Sequence, residues 1–460
     1  MALPDCWQPM EMALTGRRAA AFGLGRSGLA SARFLHAHGA EVTAFDEGPP
    51  ERFAEALAEL DALGIPGLTG VSGWSALPQL DILVVSPGVP VNHPLLQAAR
   101  QAGVEVIGEI ELAYRFCRAP LVAVTGTNGK GSTTTILGSM LQAAGLRTVV
   151  AGNIGTPLVS VVEDDWQVVV AEVSSFQLET VVHFRPWAAI LLNITPDHLD
   201  RHADFASCVA AKQRLFMNQE SGDLAVLNLD DPVVAGLRPV VRAQVLGVSA
   251  RSAVGAGYVQ ESGLLTVRLP GQEPVVVCER SDLPLRADHY VVDALCAGVV
   301  AVAAGCDQVA MRAGIRSWRP AEHLLTEVAV IGGVRFIDDS KATNPTAASA
   351  DLDTLQEPFW VIAGGLNKGL DLSGFADKLA ASARGVFLIG EAASEIAKHL
   401  GGRIPMTQCA NIETAVQAAY AAAGPGETVI LAPACASFDQ FQSQAERGER
   451  FTAAVRALQP

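Results

Sequence analysis

With 460 residues, half of them hydrophobic and 6% aromatic, the chain is too long for one core and apolar enough to build about three. A formal net charge of −15 argues against non-specific binding to nucleic acid or to anionic membranes, which needs basic patches, while leaving room for a local cationic pocket. Eight scattered cysteines without CxxC spacing, no apolar run of bilayer length and no secretory leader point to a reducing cytoplasm.

Residues 18–117 read as a small α/β unit inside a first domain placed at 1–117. A short strand (19–22) enters Gly23-Leu24-Gly25-Arg26-Ser27-Gly28, a helix (29–38) follows, and a second strand (41–45) ends at Asp46. This is the dinucleotide fingerprint, whose glycines let a diphosphate approach while an acidic residue about 20 positions on takes a ribose hydroxyl. A further strand (81–85) runs into Ser86-Pro87-Gly88. Ligands of open α/β sheets bind beyond the carboxyl ends of the strands, so residues 23–28, Asp46 and residues 86–88 are expected to share one crevice. A turn with a structural role alone is the competing reading.

The second domain, placed at 118–318, opens with the strand 121–124. It leads into Thr125-Gly126-Thr127-Asn128-Gly129-Lys130-Gly131-Ser132-Thr133, with a helical pattern over 134–144. Strand, glycine loop and helix N-terminus in that order make a phosphate cradle, with Lys130 as a mobile charge on the β/γ-phosphates. Val124 stands where a strict P-loop has its first glycine and Gly131 fills the usual Ser/Thr slot, so Ser132 or Thr133 must supply the hydroxyl for Mg²⁺. Later apolar runs at 148–151, 166–171 and 188–192 read as strands covered on both faces. They end at Gly152-Asn153-Ile154-Gly155, at Glu172-Val173-Ser174-Ser175 and at Asn193-Ile194-Thr195-Pro196-Asp197-His198. Glu172 and His198 at matching strand ends could face the phosphates together and hold a cation, although a lone histidine is as readily structural. Lys212, on a helix around 203–216, reads by itself as a surface lysine. The runs 225–227 and 264–269 look like an antiparallel extension of the sheet.

The third domain, placed at 319–460, repeats the alternation with strands at 334–337, 359–363, 386–389 and 429–431. They end at Asp338-Asp339-Ser340-Lys341-Ala342-Thr343-Asn344, at Gly364-Gly365-Leu366-Asn367-Lys368, at Gly390-Glu391 and at Ala434-Cys435-Ala436-Ser437. Hydroxyls and lysines at strand ends suit an anionic ligand.

Over nearly its whole length this constellation resembles the Mur ligases, the ATP-dependent amino-acid ligases of peptidoglycan synthesis. Within that family it is most similar to the branch that adds D-glutamate to UDP-N-acetylmuramoyl-L-alanine. The segments that carry the resemblance are 125–133, 152–155, EVSSFQLE at 172–179, NITPDHLDR at 193–201, SKATN at 340–344 and PACASFDQ at 433–440. The resemblance implies an α/β protein of three domains. They would be an N-terminal Rossmann-like UDP-binding domain, a central P-loop-type ATPase with a parallel sheet, and a C-terminal Rossmann-like domain.

It further implies that Ser27, Asp46 and Gly88 hold the UDP part of the substrate, with Asn153 and Ser174 further along it. Gly126, Thr127, Asn128, Gly129, Lys130, Gly131, Ser132 and Thr133 would hold ATP, with Asp293 and Asp339 also on the nucleotide. Ser132 and Glu172 would ligate one Mg²⁺, and His198 with a carbamylated Lys212 a second. Lys130, His198, Lys212 and Lys341 would form the catalytic set, and Thr343, Lys368 and Ser437 would hold the incoming glutamate. The implied partners are small molecules alone, acted on by a monomer. The chain departs from the family pattern at Gly131, at Tyr290 and Asp293 where two asparagines are usual, at Leu324 in place of an arginine, and at Gln444 in place of an aromatic. Gly-Lys-Gly-Ser is also a folylpolyglutamate-synthetase spelling, which leaves that ligase as one alternative. A catalytically silent nucleotide-sugar-binding homologue is another.

Overall fold

The computed structural model describes residues 3–4, 7–10, 12–197, 201–253 and 255–458. It is an α/β protein built on three sheets. By packing, the chain divides into two compact units. One comprises Met1–Ile194, Ala206–Leu283 and Tyr290–Trp318, and carries the first two sheets. The other comprises Thr195–Phe205, Pro284–His289 and Arg319–Pro460, and carries the third.

The first sheet is made of β1 (Arg18–Phe22), β2 (Glu41–Phe45), β3 (Gly67–Leu68), β4 (Ile82–Val85) and β5 (Glu105–Gly108). All its strands are parallel, in the order β3-β2-β1-β4-β5. Strand order reverses between β1 and β4, which is where an open sheet of this kind leaves a crevice. Phe22 and Phe45 stack at 4.5 Å beneath it. The fingerprint helix spans Arg26–Ala37, so it begins three residues earlier than the hydrophobic pattern suggests and places Arg26 and Ser27 in its first turn.

The second sheet contains β6 (Leu121–Thr125), β7 (Thr148–Gly152), β8 (Val168–Glu172), β9 (Ala188–Leu191), β10 (Leu224–Asn228), β11 (Gln244–Ser249), β12 (Gly257–Val259), β13 (Leu264–Val267) and β14 (Val275–Glu279). Every residue of β6, β8, β9 and β10 is buried, as continuous apolar runs under two helical layers require. The order is β14-β13-β12-β11-β10-β9-β6-β8-β7. The run at 225–227 corrects the sequence reading, because β10 pairs parallel with both β9 and β11. Only β12–β13 and β13–β14 are antiparallel. Pairing direction depends on the return path of the chain, and an apolar run does not encode it.

The third sheet holds β15 (Thr326–Ile331), β16 (Val334–Asp338), β17 (Phe359–Gly364), β18 (Gly385–Ile389), β19 (Met406–Gln408) and β20 (Thr428–Leu431), in the order β15-β16-β20-β17-β18-β19. It is parallel except for the edge strand β15. The sequence reading missed both edge strands. β19 is exposed at all three residues and β15 mostly half-buried or exposed, so neither carries an apolar run. Among the described residues no helix is long and apolar enough to cross a membrane.

Candidate active site

Parallel register brings the strand ends of the second sheet to one edge: Val124 pairs with Glu172, Thr125 with Leu191, and Gly152 with Glu172. The Thr125 hydroxyl donates to the Val173 carbonyl at 2.7 Å, fixing the root of the phosphate loop to the end of β8. Gly129, at φ +84°, then turns the chain so that the helix Lys130–Ala143 starts on the lysine, four residues before the expected start. Among the described residues no side chain caps that terminus, which leaves the anion-binding end of the helix to a ligand. The Lys130 Nζ donates to the carbonyls of Gly126 at 3.0 Å and Thr127 at 2.9 Å, which closes the loop into a ring.

Sequence reasoning gave Asn193 no role, yet it is the main clamp on this loop. Its Oδ1 accepts from the N–H groups of Thr127 (3.1 Å) and Asn128 (2.8 Å), and its Nδ2 donates to the Asn128 carbonyl (3.0 Å). The available signal was its position, the first polar residue after β9. Lys212 also proves different from the surface lysine of the sequence reading. It is 5% exposed, and its Nζ donates to the Gly126 carbonyl at 2.8 Å.

Two observations fit a nucleotide with a divalent cation. The Thr133 hydroxyl, on the first turn of the helix, is fully buried and has no hydrogen-bond partner among the described residues, and Ser132 beside it is half-buried. A Cβ on Gly131 would lie 3.2 Å from Glu172 Oε2, so the glycine lets a carboxylate stand against that first turn. Glu172 is 6% exposed and its Oε1 accepts from Asn153 Nδ2 at 2.7 Å, which joins a substrate candidate to a metal candidate. Asp293 is buried against the loop: a Cβ on Gly129 would come within 2.5 Å of its Oδ1. That places the carboxylate beside the phosphate loop. His198 lies outside the described residues. Ser174 caps the helix Ser175–Leu178 through a reciprocal capping box with Gln177, so its hydroxyl already has a structural task.

At the first sheet, the crevice forms as expected. The Asp46 carboxylate accepts from Leu24 N–H at 3.1 Å and Gly48 N–H at 2.9 Å, and the Ser86 hydroxyl donates to the Gly23 carbonyl at 3.2 Å. A Cβ on Gly28 would fall 1.7 Å from the Gly23 oxygen, which explains the last glycine of the fingerprint. Ser27 is half-buried on the helix that follows. Two acids on the helix Glu109–Phe116 stitch this region to the second sheet. Glu109 accepts from Val159 N–H at 2.8 Å, and burial pushes its carboxyl up to about 7. The fully buried Glu111 accepts from the N–H groups of Val182, His183 and Phe184.

In the second unit the loops after β16 and β20 are held together by Arg447, which sequence reasoning missed. Its helix looks amphipathic and polar, and nothing in the spacing marks an inward arginine. It is fully buried, donating from Nε to Ser340 Oγ (3.0 Å), from Nη2 to the Ser340 carbonyl (2.9 Å) and from Nη1 to the Cys435 carbonyl (3.0 Å). Burial lowers its guanidinium to about 10. These bonds fix the loop bearing Lys341 and Thr343 relative to the one bearing Ser437. Lys341 is exposed and Thr343 half-buried. The Ser437 hydroxyl is buried and has no partner among the described residues. Lys368 is mostly buried and sits 3.6 Å from the Asp197 carboxylate. Asp339 is fully buried; desolvation, reinforced by Asp351, raises its carboxyl well above the usual range. The departures at Leu324 and Gln444 are inward: Leu324 is buried, and Gln444 accepts the Ser340 hydroxyl on its main-chain carbonyl.

Three family models match in chain order: the Mur ligase MurD-like N-terminal domain over residues 17–108, the Mur ligase middle domain over 124–300 and the Mur ligase glutamate ligase domain over 325–435. The chain is 43% identical to the UDP-N-acetylmuramoylalanine–D-glutamate ligase of Pelotomaculum thermopropionicum, covering 96% of this chain and 98% of that one. It is 42% identical to the protein of the same name from Solibacter usitatus, over 98% and 100% of the two chains. Among solved structures it is similar to a pseudomurein peptide ligase type C from Methanothermus fervidus, with a TM-score of 0.62, 17% identity and coverage of 96% and 100%.

Proposed function

Because the chain belongs to the Mur ligase family, we propose that it joins D-glutamate to UDP-N-acetylmuramoyl-L-alanine with hydrolysis of ATP, a step of peptidoglycan precursor synthesis. The observation that carries this reading is the phosphate loop, closed by Lys130 and clamped by Asn193 at an uncapped helix terminus, in a chain that matches ligases of this name end to end. The complete first α/β unit leaves the folylpolyglutamate reading without support.

The alanyl carboxylate attacks the γ-phosphorus of ATP, ADP leaves, and an acyl phosphate remains. The glutamate amine attacks the acyl carbon, and phosphate leaves from the tetrahedral intermediate. Charge on the phosphoryl oxygens is the chief demand of the first step. Lys130 leaves the two loop carbonyls to meet it, and Lys341 joins it on the transferring phosphoryl group. Residues 126–133 cradle the nucleotide, with Asp293 and Asp339 on its nucleoside side. Magnesium, when bound, neutralises phosphate charge and polarises the reacting oxygens. Ser132 and Glu172 would hold one ion, with the partnerless Thr133 hydroxyl beside them. His198 and a carbamylated Lys212 would hold the second, since a carbamate turns a repelling ammonium into an oxygen ligand. Ser27, Asp46, Gly88, Asn153 and Ser174 line the nucleotide-sugar substrate. Thr343, Lys368 and Ser437 receive glutamate, whose carboxylate replaces Asp197 on Lys368 and supplies the partner that Ser437 lacks. The functional domains are 1–117, 118–318 and 319–460, acting as a cytoplasmic monomer.

The test is incubation with ATP, Mg²⁺, UDP-MurNAc-L-Ala and either glutamate enantiomer, followed by product mass and released phosphate. One product and one phosphate per ADP with the D-enantiomer support the reading. Binding of the nucleotide sugar without turnover would replace it with a silent binding protein.

A further inference from the structure

On the reading above, the substrate's diphosphate spans from the crevice of the first sheet to Asn153 after β7, and a cation would stabilise a dianion there. Arg26 is the one lysine or arginine in the loops 23–28, 46–48, 86–90 and 152–155 that flank this span. The other charged residues of those loops, Asp46 and Glu47, are acidic. Asp46 holds its carboxylate on two loop N–H groups, and Glu47 pairs with His93 at 3.0 Å. The Arg26 side chain is exposed, and its Nη1 donates to the Gly155 carbonyl at 3.0 Å, across from the fingerprint loop to the loop after β7. That contact uses one of five N–H donors of a planar fork suited to phosphate.

A second observation points to a ligand at the same place. Gly25 has an extended backbone (φ −83°, ψ −176°), and a Cβ there would meet nothing within 4 Å. A Cβ at Gly88 would also meet nothing within 4 Å, and Gly88 does not adopt left-handed φ. The fold therefore requires glycine at neither position. Bare backbone next to Arg26 and in the loop after β4 is what close approach of a diphosphate needs.

We infer that Arg26 is the diphosphate clamp of the nucleotide-sugar site, a strap between the fingerprint loop and the loop of residues 152–155 that moves from the Gly155 carbonyl onto the phosphate oxygens when substrate binds. The test is equilibrium binding of UDP and of uridine to wild type, Arg26→Ala and Arg26→Lys, with KM for ATP measured alongside. Loss of a charge-assisted contact should weaken UDP about 10- to 100-fold in Arg26→Ala, with uridine binding and the KM for ATP unchanged. Arg26→Lys should keep part of the preference for UDP. Unchanged UDP binding, or equal loss of UDP and uridine, would overturn the assignment. Because uridine reports an intact crevice, a folding defect is separated from a lost clamp. Because neither probe needs turnover, failure here is distinct from failure of the ligase reading.

Discussion

Removing the Asn193 side chain should disable the phosphate loop without unfolding the protein. Asn193→Ala deletes two acceptor contacts, to the N–H groups of Thr127 and Asn128, and one donor contact, to the Asn128 carbonyl. The Thr127 N–H keeps its 2.9 Å contact to the Asn193 main-chain carbonyl, so the loop loosens without losing its attachment to β9. At about 1 kcal/mol net per hydrogen bond, the two contacts to Asn128 and part of the third amount to about 2–3 kcal/mol. If the phosphate cradle must be rigid in the transition state, that loss becomes roughly a 30- to 150-fold fall in kcat/KM for ATP. Asn193→Asp keeps the acceptors but sets a carboxylate against the Asn128 carbonyl and near the phosphates, so it should be no better than alanine. Steady-state kinetics at saturating UDP-MurNAc-L-Ala and glutamate, with a thermal melt of each variant, separate the effects. A kcat/KM for ATP within about twofold of wild type would refute the view that loop rigidity is needed.

Four further outcomes are expected. Lys130→Ala should lower kcat by orders of magnitude with an unchanged melt; retained turnover would remove the loop from the chemistry. Lys212→Ala should be nearly inactive and partly restored by acetate, whereas an intact-mass measurement on native protein lacking a carbamate, with no rescue, would leave Lys212 as a prop for Gly126. Lys368→Ala should raise the KM for glutamate by about 30-fold or more with little change for ATP, the loss of a charge-assisted pair; an unchanged KM would remove it from the amino-acid site. Glu109 titrates at about 7 in the folded chain, above its ordinary 4.5, chiefly through burial. Its stability contribution is therefore complete below about pH 4.5 and lost as pH rises through about 7. Glu109→Gln should gain about 2–3 kcal/mol relative to wild type between pH 5 and pH 8 in denaturant titrations, and parallel pH profiles would refute this.

The sequence carried the three-sheet architecture because long apolar runs followed by glycine loops are a local signal. β1, β6 and β16 fall within a residue of their expected positions. It missed what depends on partners distant in sequence. The parallel pairing of β10 follows from the route of the chain, and β15 and β19 are edges with little apolar content. The phosphate loop was legible as a motif, but its support was not. Asn193 looks like any polar residue after a strand, Lys212 like a surface cation, and Arg447 like the solvent face of a helix until its partners, Ser340 and Cys435, are seen in space. Of the glycines, Gly28 was legible as the last of the fingerprint, where a side chain would strike Gly23, whereas Gly131 read only as a departure from the P-loop pattern until the structure showed that a side chain there would crowd Glu172.

Activation of the alanyl carboxylate by phosphoryl transfer is the central step, and oxygen labelling tests it most directly. UDP-MurNAc-L-Ala labelled with ¹⁸O in the alanyl carboxylate is incubated with the protein, ATP, Mg²⁺ and D-glutamate, and the released phosphate is analysed by mass. The carboxylate oxygen that attacks the γ-phosphorus stays on phosphorus when the amine displaces it, so each phosphate should carry one ¹⁸O and each ligated product should have lost one. Unlabelled phosphate, or release of AMP and pyrophosphate instead of ADP, would contradict the acyl-phosphate route and the roles given to Lys130 and Lys341.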